Sequence, residues 1–284
     1  MSLRKGDRVR HPNSPAWGIG QVLDTVDAQT VRVFFVGAGE RTIALDRVAL
    51  VPVTGAEAAN PLLDNLPSTE PGQLTRYRSL PDSIAHFVQK YPGGFHGRTF
   101  LQQEREYKVA AHALCRELLS EDEVTRLLSQ GSPDEVIHRA LRVVNATNLI
   151  FPNEKMALRD GLVADDNRAR FAHALFQLLH GAGPLEPRFL SFCAVLEAIE
   201  AAKWPIASYF PFLYEPATHV FLKPGVTQHA AEVCAFEINY RPELNWRTYE
   251  RVQAFARYLM TETAALEPRD MIDIQSFMWC IAPR

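Results

Sequence analysis

Over residues 1–53 apolar and polar residues alternate in short bursts: Arg8-Val9-Arg10, Ile19-Gly20-Gln21-Val22-Leu23, Val31-Arg32-Val33-Phe34-Phe35, Arg41-Thr42-Ile43-Ala44-Leu45 and Ala49-Leu50-Val51-Pro52-Val53. A period of two, broken by Gly, Pro and Asp, predicts strands. Five short strands in one small segment leave edges and one face open unless the sheet curls, so an SH3-like barrel is the expected solution. Gly18 and Gly20 suit a tight bend around Trp17, and Gly37-Ala38-Gly39 suits a hairpin loop.

The period is lost over 54–82, where Pro61, Pro67, Pro71, Gly72 and Pro81 gather with Ser, Thr and Asn. This composition predicts a linker, although Leu62, Leu63 and Leu66 would be costly to leave in water, so it is expected to lie along a domain. From residue 83 to 284 the spacing becomes helical. Tyr107, Ala110, Ala111, Leu114, Cys115 and Leu118 share one stripe, and others run through Phe171, Leu175, Leu178 and Leu179, through Phe189, Phe192, Leu196 and Ile199, and through Val252, Phe255, Ala256 and Leu259. A last stripe runs through Met271, Ile274, Phe277 and Met278. Ser120-Glu121-Asp122-Glu123 and Ser132-Pro133-Asp134-Glu135 have the capping-box pattern, and Asn245 is an N-cap candidate. Residues 204–224 are expected to form Pro-rich joints. No fixed repeat occurs, so the expectation is an α+β multidomain chain: a small N-terminal SH3/Tudor-like barrel and a larger helical domain that is a bundle, not a solenoid.

Length and composition agree with that division. The chain has 284 residues, 47% hydrophobic and 22% charged, which excludes a disordered or collagenous protein. Its formal charge of -3 excludes a field over the whole chain that would hold nucleic acid non-specifically. Residues 1–53 hold seven cations against five anions, a net +2, which leaves -5 for the remainder. The barrel is thus the part expected to visit an anionic partner. Cys115, Cys193, Cys234 and Cys280 are widely separated in apolar stretches and predict buried thiols in a reducing compartment. With no apolar leader and no run long enough to cross a bilayer, a cytoplasmic protein without membrane contact is expected.

Few residues point to chemistry. The nine histidines show no zinc spacing, and His173 and His180 lack a third ligand. Phosphate-binding glycine loops and a nucleophile elbow are missing as well, so no cofactor is expected. Asp270 and Asp273, one helical turn apart after Glu267, could together hold a divalent cation for phosphodiester hydrolysis. The alternative is structural: acidic residues at a helix start complement its dipole, and Arg269 stands by as a partner. Two segments, Tyr91–Arg98 and Tyr240–Tyr249, interleave aromatics with Arg and would serve either as stacking surfaces or as turns pinned to a core.

Gly6-Asp7-Arg8-Val9-Arg10-His11-Pro12, followed by Trp17-Gly18-Ile19-Gly20-Gln21-Val22 and by Val48–Val53, resembles the small Tudor/SH3-like domain found at the end of UvrD-type helicases. It is similar in kind to the polymerase-interacting domains of CarD and of transcription-repair coupling factors. The remainder resembles a family of uncharacterised bacterial helical proteins and transfers no activity. The first resemblance implies a docking module, so a non-enzymatic adaptor of bacterial nucleic-acid transactions is expected, with a protein of the transcription or repair machinery, or DNA, as partner. The competing expectation is a metal-dependent nuclease or phosphodiesterase using Asp270, Asp273 and Glu267. Trp17, Arg10 and Arg32 are the expected rim of the docking surface, the indole as anchor and the guanidiniums pointing away from the inward valines.

Overall fold

A computed structural model describes residues 3–67 and 77–282. These form two compact units, one taking the N-terminal part through Lys90 together with Gln228–Ile238, the other Tyr91–Thr227 and Asn239–Cys280.

The first unit is built on five antiparallel strands: β1 (Arg8–Arg10), β2 (Ile19–Asp27), β3 (Thr30–Phe35), β4 (Gly39–Ala44) and β5 (Val51–Val53). They are ordered β4-β3-β2-β1-β5, so the chain meanders through four strands and returns β5 to the free side of β1. The expected barrel does not close. β4 and β5 are its two edges, and β5 is kept short and carries Pro52, both of which suppress edge pairing. Val9, Val22, Val31, Val33, Phe35, Ile43 and Leu50 form the core on one face. The pleat sends Arg32 and Phe34 to the other face, which is also covered, since Phe34 is fully buried and meets the Tyr77 ring edge-on at 4.9 Å. Helix α1 (Leu80–Lys90) belongs to the same unit.

Much of the expected linker is built into this unit. Leu62 and Leu63 are buried, the Asn65 carbonyl accepts from Glu237 N at 2.8 Å, and Arg78 N donates to Val233 O at 3.0 Å. Its Pro71-Gly72 portion lies outside the described residues.

The helical unit contains α2 (Arg98–Phe100), α3 (Glu106–Leu118), α4 (Glu121–Ser129), α5 (Pro133–Asn145), α6 (Pro152–Gly161), α7 (Asp165–His180), α8 (Leu185–Ala198), α9 (Trp204–Tyr214), the start of α10 (Pro224–Val233), α11 (Trp246–Glu262) and most of α12 (Met271–Ile281). A π turn over Leu101–Arg105 joins α2 to α3. The predicted stripes of α7, α8, α11 and α12 face the core, with Phe171, Leu175, Phe189, Phe192, Val252, Phe255, Ile274 and Phe277 all buried. On α3, Ala111, Cys115 and Leu118 are buried, whereas Ala110 is exposed and Lys108, outside the predicted stripe, is buried. Helices α4 and α5 start at their predicted signals, although neither Ser120 nor Ser132 makes a side-chain cap bond. Asn245 does cap α11, accepting from Thr248 N at 2.8 Å.

One expectation is corrected here. Residues 204–214 are a helix, not a joint, and α9 is buried from Trp204 through Leu213. A helix that is apolar all round has no amphipathic period to read. Pro205 sits in its first turn, where its missing N–H costs nothing, but Pro211 lies inside the helix and would ordinarily argue against one. Among the described residues no helix is long and apolar enough to cross a membrane, and the four cysteines are buried.

Candidate docking groove and the buried charge network

The turn after β1 and the β3–β4 loop are pressed together at Trp17. A single 3₁₀ turn, Pro15–Trp17, ends at Gly18, whose φ of 69° carries the chain into β2. Gly37 N donates to Trp17 O at 3.0 Å, and a Cβ on Gly37 would stand 2.5 Å from the Ala16 carbonyl oxygen. Only a glycine allows this approach. Gly37→Ala is therefore expected to lower stability by about 1–3 kcal/mol, as overpacking does, and chemical denaturation of the full chain measures it.

The frame holds the Trp17 indole partly exposed, against the His11 ring at 4.7 Å and Phe35 at 5.2 Å. The Arg41 guanidinium carbon lies 5.7 Å from the indole centroid. A groove of about 490 Å³ opens beside them, lined by Trp17, Gly39, Arg41, Tyr77, Ser79 and Asp82 among others. The Tyr77 hydroxyl donates to Val36 O at 2.7 Å, and burial pushes its pKa well above the ordinary tyrosine value, so it remains a neutral donor. Ser79 and Asp82 are hydrogen-bonded to each other across the start of α1. Arg41 donates to the Glu40 carbonyl at 2.9 Å and is otherwise exposed.

Of the three expected rim residues, only Trp17 lines this groove. Arg10 points outward but lies 3.5 Å from Glu57. Arg32 does not stand on a rim: it is 8% exposed, and its Nε donates to Glu40 Oε1 at 2.7 Å. Alternation correctly placed it opposite the valines, yet that face is covered, and Glu40 sits diagonally across the β3–β4 ladder to receive it. The sequence reading missed Arg41 and Tyr77. The strand pattern around Arg41 was legible, but its approach to Trp17 depends on the β3–β4 pairing, and Tyr77 stood in a stretch with no period.

The second predicted site is a charge cluster in the helical unit. Arg105 donates to both oxygens of Asp270 at 2.7 Å and to Asp273 Oδ1 at 2.8 Å. Arg269 donates its backbone N–H and its Nε to Asp273 Oδ2, each at 2.9 Å, and its Nη2 to Phe95 O at 2.6 Å. Burial opposes the Arg105 charge, but the hydrogen bonds and charges of the two aspartates outweigh it and raise the guanidinium pKa. Asp270 Oδ1 also caps the α12 start, accepting from Ile272 N at 3.0 Å. Glu267 is apart from this cluster. It holds φ 53° at the end of a 3₁₀ turn, its side chain is exposed, and its carbonyl oxygen lies 3.0 Å from His96 Nε2. Asp270 and Asp273 are thus brought together, but two guanidiniums and backbone N–H groups occupy their lone pairs. No group of three acidic, His or Cys residues fit to hold a metal ion occurs among the described residues.

Nearby, Lys108 is 1% exposed and donates to Ser276 Oγ at 2.7 Å and Glu104 Oε2 at 3.4 Å. The Tyr91 hydroxyl donates to Glu104 Oε1 at 3.1 Å. Burial pulls the Lys108 pKa down to about 8, against the opposing pull of Glu104. Tyr91 and Phe95 are buried, so the Tyr91–Arg98 segment is pinned to the core at those rings.

The fold defines the N-terminal part as a five-stranded antiparallel sheet domain. Residues 3–53 match the family described as "Protein of unknown function (DUF3553)". Neither the curated proteins nor the solved structures yield a match.

Proposed function

We propose that this protein is a non-enzymatic adaptor whose N-terminal domain, an SH3/Tudor-like module, docks on a protein of the bacterial transcription or repair machinery. The observation that carries the reading is the Trp17 indole, held partly exposed by a rigid loop pair beside an Arg41 guanidinium that makes no ion pair among the described residues. An aromatic anchor next to an available guanidinium fits a short extended peptide that presents an apolar side chain and a carboxylate. Helicase or polymerase as the source of that peptide rests on the resemblance of the Gly6–Pro12 and Trp17–Val22 motifs to helicase-end and polymerase-interacting domains.

Protein is favoured over DNA by the local charge. Arg8, Arg10 and Arg32 are matched by Asp64 at 2.6 Å, Glu57 at 3.5 Å and Glu40 at 2.7 Å, and Asp82 lies in the groove itself. A phosphate backbone needs a continuous row of free cations.

The test uses the full chain immobilised against purified bacterial RNA polymerase and a UvrD-type helicase, with duplex and single-stranded DNA as further arms. One of the two proteins should be retained at low salt, and Arg41→Glu should weaken retention roughly tenfold or more without changing the circular dichroism, because a like charge then faces the peptide carboxylate. Trp17→Ala should weaken it when binding is scaled to the folded fraction. Retention of neither protein, retention of DNA alone, or wild-type binding by Arg41→Glu overturns the proposal.

A further inference from the structure

The helical unit has a cleft of its own, of about 550 Å³, where α3 supplies Tyr107 and Lys108, the segment between α5 and α6 supplies Phe151, and α12 supplies Gln275 and Trp279. Lys223, just before α10, completes it. Its volume falls within the range of small-molecule sites.

Three independent features of this cleft ask for an occupant. The first is Gln275, 4% exposed, whose Oε1 is buried with no hydrogen-bond partner. An unmet buried acceptor costs about 1–3 kcal/mol and is rare without a ligand or water to meet it. The second is charge. Glu104 is engaged by Tyr91 and by Lys108, whereas Lys223 makes no ion pair among the described residues, Glu154 acting on its charge only from beyond salt-bridge distance. Its Nζ donates to Leu149 O at 3.1 Å and lies 3.7 Å from the Phe151 ring centroid and 5.9 Å from that of Trp279, and an ammonium has two further donors. The third is the rings. Phe151 is 53% exposed and Trp279 partly so, in a unit that buries Phe95, Phe171, Phe189, Phe210 and Phe277.

We propose that this cleft binds a small ring-bearing anion of the chemistry and size of a nucleoside monophosphate. The base lies against Phe151 and Trp279, its hydrogen-bonding edge meets the Gln275 amide, and the phosphate meets Lys223. Aromatic faces stack on any base, an amide offers both a donor and an acceptor to a base edge, and an ammonium serves the phosphate as a point charge. The inference does not depend on the docking reading of the N-terminal domain, since it uses other residues and another ligand.

Isothermal titration of the full chain with AMP, GMP, CMP and UMP, and with adenosine and inorganic phosphate as controls, tests it. At least one mononucleotide should bind, roughly tenfold or more tightly than either control, and Lys223→Gln and Phe151→Ser should each weaken it by a similar factor with unchanged circular dichroism. Phe151 is exposed, so its variant carries the test even if Lys223→Gln fails to fold. The proposal is overturned if no mononucleotide binds at low millimolar concentration, if phosphate alone binds as well as the nucleotide, or if Phe151→Ser keeps wild-type affinity.

Discussion

Asp273→Ala is expected to destabilise the helical unit by about 3–5 kcal/mol, the cost of removing one partner from a buried ion network. Asp273 is fully buried and takes charge-assisted hydrogen bonds from Arg105 and Arg269. Without it, Arg269 loses a partner for both its N–H and its Nε, and Arg105 keeps only Asp270. The Arg105 guanidinium, largely buried, cannot relieve its position by shedding a proton, so it must drag in water or unfold the α12 start, whereas Arg269 is already open to solvent. Urea denaturation followed by the helical signal in circular dichroism measures the loss. A change below about 1 kcal/mol would mean that the pair behaves as a surface salt bridge and that the network has been overvalued. The same geometry predicts that millimolar Mg²⁺ leaves the melting temperature unchanged, because the oxygens a cation needs are already occupied. A metal-dependent rise that Asp270→Asn abolishes would restore the phosphodiesterase reading.

These residues also show how far the sequence could be read. Asp270 and Asp273 were visible as a pair one helical turn apart, and both readings, cation or cap, followed from that spacing. What separated them was Arg105, about 165 residues away in the chain, and no local pattern encodes such a partner. Arg32 teaches the same lesson in the sheet: the pleat fixed its face, but whether that face was wet depended on Glu40 and on the ring of Tyr77 packed over Phe34. The strands themselves were legible because a half-buried strand must alternate, and α4, α5 and α11 because their starts carry Ser or Asn before the helix. Helix α9 was illegible for the opposite reason, being buried on every side. The closure expected of the barrel failed because β5 pairs with β1 but not with β4, and which edges meet is a choice that a period of two leaves open.

Lys108 should leave a signature in the pH dependence of stability. Its folded-state pKa of about 8 lies below the ordinary value of 10.5, so between those two pH values the unfolded chain binds more protons than the folded one. Stability therefore rises with pH across that window, by on the order of 3 kcal/mol when integrated over the full shift. Below pH 8 the buried ammonium is charged in both states and its desolvation stands in full; above the unfolded pKa it is neutral in both and the penalty is gone. Tyr107, Tyr209 and Tyr249 act in the other direction, because burial raises their pKa values and the unfolded chain releases those protons first as the pH passes the ordinary tyrosine value. The comparison that isolates Lys108 is therefore wild type against Lys108→Met, from pH 7 to 9.5. The wild type should gain stability relative to the variant as the pH climbs past 8, since the thioether has no proton to lose while the tyrosines contribute equally to both. Parallel profiles would mean that Glu104 and Ser276 hold the ammonium at its ordinary pKa, and that the polar network compensates the burial of this charge completely.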